Sequence, residues 1–375
     1  MYSQQELDDA VAAGALTSQS ANALRAFVAQ QRSSSLVDEE QFRLITGFND
    51  IFVAVAGAIL FFAVGWIGQW LGDQLGFQVG GDFGPSPLAG LAIALTAWGL
   101  ALYFTAKRRM ALPSILFLLA FVGGTFWAAS MTLGIVAEGL VGTLEERGAG
   151  IIAATAAAIT AAAAWLHWRT FRVPITVAAG AVAVAGIVLG LTAAIIGDSV
   201  PGTSLMTIIL WMVLLLGLGI FAVAMKWDAS DPARVTRRSD VAFWLHLAAA
   251  PMIVHAVFTL LALNDANATM GEGFLVIGLY LLLGLAAIAI DRRALLVSAL
   301  AYVLYALAAL FREFGAVELN IALTALVIGS ALLLLSAFWH QARHKVVAML
   351  PHKVRRHLPD LHGTVPAAVS PEPAA

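Results

Sequence analysis

Long apolar runs alternate with short polar connections from residue 51 to residue 339. The runs cover residues 51–70, 88–106, 114–137, 149–166, 174–197, 204–225, 241–263, 273–290, 294–311 and 319–339, and none contains Asp, Glu, Lys or Arg. A helix needs about 20 apolar residues to cross a bilayer core. A soluble helix would return charges at helical period, and the strands of a membrane barrel would alternate apolar and polar residues. Neither pattern is present. The chain therefore predicts an all-α fold, a polytopic transmembrane helix bundle of about ten spans with a small soluble N-terminal helical hairpin.

Charge in the connections gives the orientation. Of 21 Lys and Arg residues, all but Arg147 and Arg312 fall on one side if every run crosses the membrane. Lys107, Arg108 and Arg109 follow the second run, Arg169 and Arg172 the fourth, and Lys226, Arg234, Arg237 and Arg238 the sixth. Arg292 and Arg293 follow the eighth, and Arg343, Lys345, Lys353, Arg355 and Arg356 the tenth. Basic connections stay in the cytosol, so both termini are expected inside. The opposite connections carry Asp73, Asp82, Glu138, Glu145, Glu146, Asp198, Asp265, Glu272, Glu313 and Glu318. The formal net charge of −2 averages two faces of opposite sign.

Composition agrees with this reading. The chain is 61% hydrophobic and 12% charged, where soluble domains carry about 25% charged residues. It contains no cysteine, which removes disulfides, thiolate metal sites and Cys nucleophiles. The first 46 residues lack a basic start followed by an apolar run, so no cleavable signal peptide is expected and the first span serves as insertion signal. Short loops and heavy Ala and Gly usage suit a bacterial inner membrane.

The boundaries follow: residues 1–46 form a cytosolic helical hairpin and juxtamembrane segment, 47–340 the ten-span domain, and 341–375 a basic juxtamembrane segment and disordered tail. In the first part, Ser3 and Glu6 read as a capping box. Leu7, Ala10 and Val11 make a short apolar stripe, and Gly14 stops the helix. Thr17 caps a second helix with Ala21, Leu24, Phe27 and Val28 on one face. A hairpin over roughly residues 4–31 buries too little area to stand alone. It packs on the membrane domain, on a second copy, or on a protein partner. Arg25 and Arg32 are its only bases, too few for nucleic acid. Ser33, Ser34 and Ser35 form a joint before the acidic stretch Asp38-Glu39-Glu40 that leads into the first span.

The turn Ala13-Gly14-Ala15-Leu16-Thr17, the acidic segment and the many spans together resemble a bacterial family of uncharacterised multi-spanning membrane proteins. The resemblance is best over about the first 60 residues. It implies a multi-pass membrane fold and supplies no activity, cofactor or site residue.

Cytosolic turns near residues 109, 172, 234 and 293 divide the membrane part into helical hairpins. Arg109-Met-Ala-Leu-Pro-Ser114 and Arg293-Ala-Leu-Leu-Val-Ser298 look alike, which fits an internal repeat and equally fits generic membrane-helix boundaries. The Ala-rich fourth span, Gly68 and Gly72, and Gly186 and Gly190 permit close helix approach, and Gly123-Gly124 either kinks the third span or admits a neighbour. The Leu-rich sixth, eighth and tenth spans suit lipid.

Candidate chemistry is sparse. His255 lies deep in the seventh span, with Pro251 and Thr259 on the same face. A His beside a kink can line a polar cavity or relay a proton, or simply bond a neighbouring helix. His246 lies about 180° round that helix and is not expected to share its ligand. The outer acids have no known cation-loop spacing, so no metal and no cofactor is expected. Residues 340–362 interleave bases with Val346, Val347, Met349 and Leu350. That pattern makes Arg343, Lys345, Lys353, Arg355 and Arg356 candidates for anionic lipid. No Gly-x-Ser-x-Gly, His-Glu-x-x-His or intramembrane acid pair is present, so no catalytic residue and no enzyme is expected. A carrier or lipid-handling protein is the leading reading. A scaffold docking a partner through residues 4–31 is the alternative, and an intramembrane enzyme comes last.

Overall fold

The computed structural model describes residues 10–24, 48–81, 84–142, 145–231, 236–261, 270–292 and 320–351, with 7, 300, 304, 307 and 358 besides. The chain divides into two compact units, Met1–Leu44 and Ile45–Ala375.

In the first unit the chain turns where the sequence places a stop. Gly14 takes a positive φ of 72°, which glycine adopts without steric cost. The N–H groups of Ala15 and Leu16 both return to the carbonyl of Ala10, satisfying groups that a helix end leaves open. Thr17 then accepts the Ser20 N–H at 3.0 Å as an N-cap, and Ala21 is fully buried. Residues 1–6 and 25–47, with the capping box and the acidic stretch, lie outside the described residues.

The described residues of the second unit form helices joined by turns, with no strand among them. In chain order it contains α1 (Phe48–Leu75), α2 (Pro87–Leu100), α3 (Ala111–Val141), α4 (Glu146–Phe171), α5 (Ile175–Ile196), α6 (Gly202–Ala229), α7 (Arg237–Leu260), α8 (Met270–Ile290), α9 (Asn320–Ala337) and α10 (Trp339–Met349). By length and composition seven of the described helices, α1 to α7, can cross a membrane, α2 together with the π-helical turn Ala101–Thr105 that continues it. The count rises to eight if α9 and α10, bent by 80° at their junction, make one span. α8 contributes a shorter apolar stretch, Ile277–Ile290. The ninth predicted span, 294–311, lies almost wholly outside the described residues.

The bundle turns apolar side chains outward. Phe62, Trp66, Leu140, Ile195 and Leu333 are all at least 70% exposed. An apolar surface of this extent marks contact with a membrane or a partner. The interior is built from small residues. Neighbouring helices joined at the basic connections, α2–α3, α4–α5 and α6–α7, are the most tightly packed pairs. Glycine makes the first two approaches possible. A Cβ on Gly90 would lie 2.6 Å from the Gly124 carbonyl oxygen, and one on Gly190 would lie 2.5 Å from the Ala154 nitrogen. Close approach is how membrane helices gain van der Waals energy without a hydrophobic drive between them.

α7 is the central helix. The share of its apolar window that is buried is 56%, against 17–33% for the other six spanning helices. Val241, Leu245 and Ala249 pack on α5 and α6, while Val254 and Phe258 reach the core beside α8 and α9.

Candidate functional site

At the basic end of the bundle, α6, α7 and the turn after α8 meet around a carboxylate. Asp228 sits in the last turn of α6, beyond the apolar run that the pattern marks out. It is 2% exposed. Its Oδ2 accepts from His246 Nε2 at 2.9 Å and from Arg292 Nε at 3.2 Å. Its Oδ1 accepts from Arg292 Nη2. The guanidinium therefore grips both carboxylate oxygens, the geometry that suits Arg and that Lys cannot reproduce. Arg292 Nη2 also lies 3.5 Å from the Ser239 carbonyl oxygen. His246 is wholly buried, with Phe221 set edge-on at 5.1 Å between ring centroids.

Each element delivers its residue for a local reason. Thr236 caps α7 by accepting the Arg238 N–H at 3.2 Å. Asp231 accepts from the Thr236 N–H at 2.9 Å and from its hydroxyl at 2.6 Å. These contacts fix the start of α7, and with it the height at which His246 meets Asp228. Arg292 is placed by a turn. Asp291 takes a left-handed φ of 57°, a conformation that Asp tolerates better than most residues. The Arg292 N–H returns to the Ala287 carbonyl at 2.9 Å.

Asp291 is buried as well, at 5% exposed. It accepts from Trp339 Nε1 at 2.7 Å, and Arg343 Nη1 lies 3.8 Å from its other oxygen. Both partners belong to α10, which runs from the sharp bend after α9.

The residues singled out from sequence fall elsewhere. His255 and Pro251 lie on the exposed side of α7, and Thr259 is part-buried. Arg343 is only 1% exposed and is directed at Asp291. Lys345 is exposed, and Lys353, Arg355 and Arg356 lie outside the described residues. Several outer acids serve loop structure. Asp73 accepts from Gln69 at 2.7 Å and from Gln78. Glu138 accepts the Gly80 N–H at 3.0 Å, and Asp198 pairs with Arg147 at 3.3 Å. No group of three or more His, Asp or Glu that could hold a metal occurs among the described residues.

The sequence reading passed over Asp228, His246, Asp291 and Arg292 as a group. One signal could have found them. Asp228 and Asp291 are acids within three residues of the ends of apolar runs, beside Lys226 and beside Arg292 and Arg293. An acid retained there has a short list of partners.

A second histidine is buried between α4 and α5. His167 Nδ1 lies 3.2 Å from Thr176 Oγ1, and Trp98, Phe121 and Phe171 surround its ring at centroid distances of 4.6–6.1 Å.

The apolar surface and the helix lengths define a multi-pass helical membrane protein. No protein-family model, curated protein or solved structure matches the chain.

Proposed function

We propose that the protein is a ten-span carrier, or a lipid- or small-molecule-handling protein, of the bacterial inner membrane, with both termini in the cytosol and no enzymatic role. It belongs, on this reading, with the uncharacterised multi-spanning proteins that its N-terminal turn resembles. The buried Asp228–His246–Arg292 cluster carries the reading. Removing an ion pair from water costs several kcal/mol per charge, in order of magnitude, and a packed apolar contact would stabilise a static bundle as well. Ionisable groups facing the interior of a membrane bundle are the usual mark of a substrate or ion pathway. The orientation rests on the placement of Lys and Arg at one end. There the guanidinium of Arg169 stacks on Trp165 at 5.2 Å and that of Arg172 on Trp168 at 5.7 Å, as interfacial anchors do.

Native mass spectrometry of the protein gently extracted from its own membrane tests this. A bound lipid or small molecule that is lost in Asp228→Asn supports the carrier. A second reading, a scaffold, draws on the compact unit Met1–Leu44. A stoichiometric protein that is lost on deleting residues 4–31, with no small molecule bound, would replace the carrier by the scaffold.

A further inference from the structure

The charges in the buried cluster can be counted. Asp228 and Arg292 cancel, so a neutral site requires His246 to be the uncharged imidazole, with its Nε2–H toward Oδ2 at 2.9 Å. A further proton on His246 would leave an uncompensated positive charge in a site whose three members are at most 2% exposed. Such a charge is expensive. If Arg292 withdraws, the uncompensated charge is the Asp228 carboxylate instead. The group already in hydrogen-bond contact with it is His246, 2.9 Å away. One proton, taken at Nδ1 from the aqueous phase at the basic end, converts that imidazole to an imidazolium and restores neutrality.

We propose that Asp228 is a two-cation exchange site: Arg292 occupies it in this structure, and a proton lodged on His246 replaces Arg292 when the turn after α8 moves away. The two occupants exclude one another because both draw on the single carboxylate of Asp228.

The surroundings are consistent with an exchange. Lys226 is the other ionisable group in the last turn of α6. Asp231, just after that helix, is engaged with Thr236. On α7, Asp240 is part-exposed and within the electrostatic reach of Arg292 and of Arg237. From α8 and α10, Asp291 and Arg343 pair with each other. Arg292 enters the site from a turn that begins in a left-handed residue and is held from behind by Trp339. The proposal goes beyond the carrier reading and needs no substrate, so it can stand or fall apart from it.

Nitrogen-15 NMR of the full chain, labelled at histidine and arginine and held in lipid nanodiscs, is the test. His246→Gln identifies the ring signals among the eight histidines. At neutral pH the wild type is expected to show His246 uncharged with its proton on Nε2. Arg292→Gln is expected to show it charged, with both nitrogens protonated, and Asp228→Asn combined with Arg292→Gln to show it uncharged again. A His246 that stays uncharged in Arg292→Gln overturns the proposal. The wild type gives a second reading should that variant not fold. As pH is lowered, His246 should gain its proton only together with loss of the hydrogen-bonded Arg292 Nε signal. A charged His246 beside a still-bonded Arg292 also overturns it.

Discussion

Asp291 and Arg292 are consecutive in the chain and belong to different buried ion pairs. Asp291 faces α10 and takes Trp339 and Arg343, whereas Arg292 faces α6 and α7 and takes Asp228. The left-handed turn at Asp291 separates the two directions. One short segment thus ties the last described helix to the centre of the bundle, and a disturbance on either side reaches the other through a single peptide.

This linkage gives Trp339 a structural role. Trp339→Phe keeps the ring and removes the N–H, leaving a buried carboxylate short of a donor. We expect it to lower stability by about 1–3 kcal/mol. Unfolding in mixed micelles with rising SDS checks this. The same substitution at the exposed Trp211, on the outer face of α6, is expected to change stability by less than about 0.5 kcal/mol.

The two histidines of α7 should behave differently. His246 is buried and bonded to Asp228, whereas His255 is exposed on the other side of the helix. His246→Ala should cost at least about 1 kcal/mol more than His255→Ala, because it strips a donor from a buried carboxylate and leaves a void. Parallel SDS titrations compare them.

Glycine substitutions separate contact from propensity. At Gly190 a new Cβ meets the backbone nitrogen and Cα of Ala154 at 2.5 Å and 2.8 Å, atoms that cannot step aside alone. Gly190→Ala should push α4 and α5 apart and destabilise by about 1–3 kcal/mol. Gly219 in α6 has nothing within 4 Å of such a Cβ. Gly219→Ala should be neutral or stabilise by up to about 1 kcal/mol through helix propensity.

Much of this fold is written in the hydrophobic pattern. The run 149–166 becomes α4, Glu146–Phe171, and its Ala-rich face is buried as small residues require. The described helices extend past most runs by a turn, because helical hydrogen bonding continues into residues that the bilayer core does not need. Asp228 stands in one of those extensions. A reading confined to charge-free runs therefore stopped at residue 225 and left the carboxylate outside the membrane part. Arg292 and Arg343 were legible as topology signals, and the positive-inside rule has no means of telling a solvated base from a paired one. Only the bend after α9 and the turn at Asp291 decide that. His255 drew attention because it is deep along the helix axis, but burial in a bundle is set by the face, and α7 turns that face outward.

The absence of cysteine makes the proposed orientation simple to test. Single cysteines at Lys107 and at Arg147, on opposite ends of the bundle, should label from opposite sides of the membrane. With both termini inside, an impermeant maleimide added to intact cells reaches only Arg147→Cys. Labelling of Lys107→Cys alone would invert the topology.

The account turns on the claim that Asp228 and Arg292 form one buried electrostatic unit, and a double-mutant cycle measures it most directly. Asp228→Asn should destabilise by about 3–5 kcal/mol, since it strands a buried guanidinium, and Arg292→Gln by about 1–3 kcal/mol, since it strips hydrogen bonds from a buried carboxylate whose charge His246 then balances. The combined variant should recover part of the loss, falling short of the sum of the single effects by about 0.5–3 kcal/mol. Additive losses, or single losses under about 0.5 kcal/mol, would contradict the account and leave the two residues as independent surface charges.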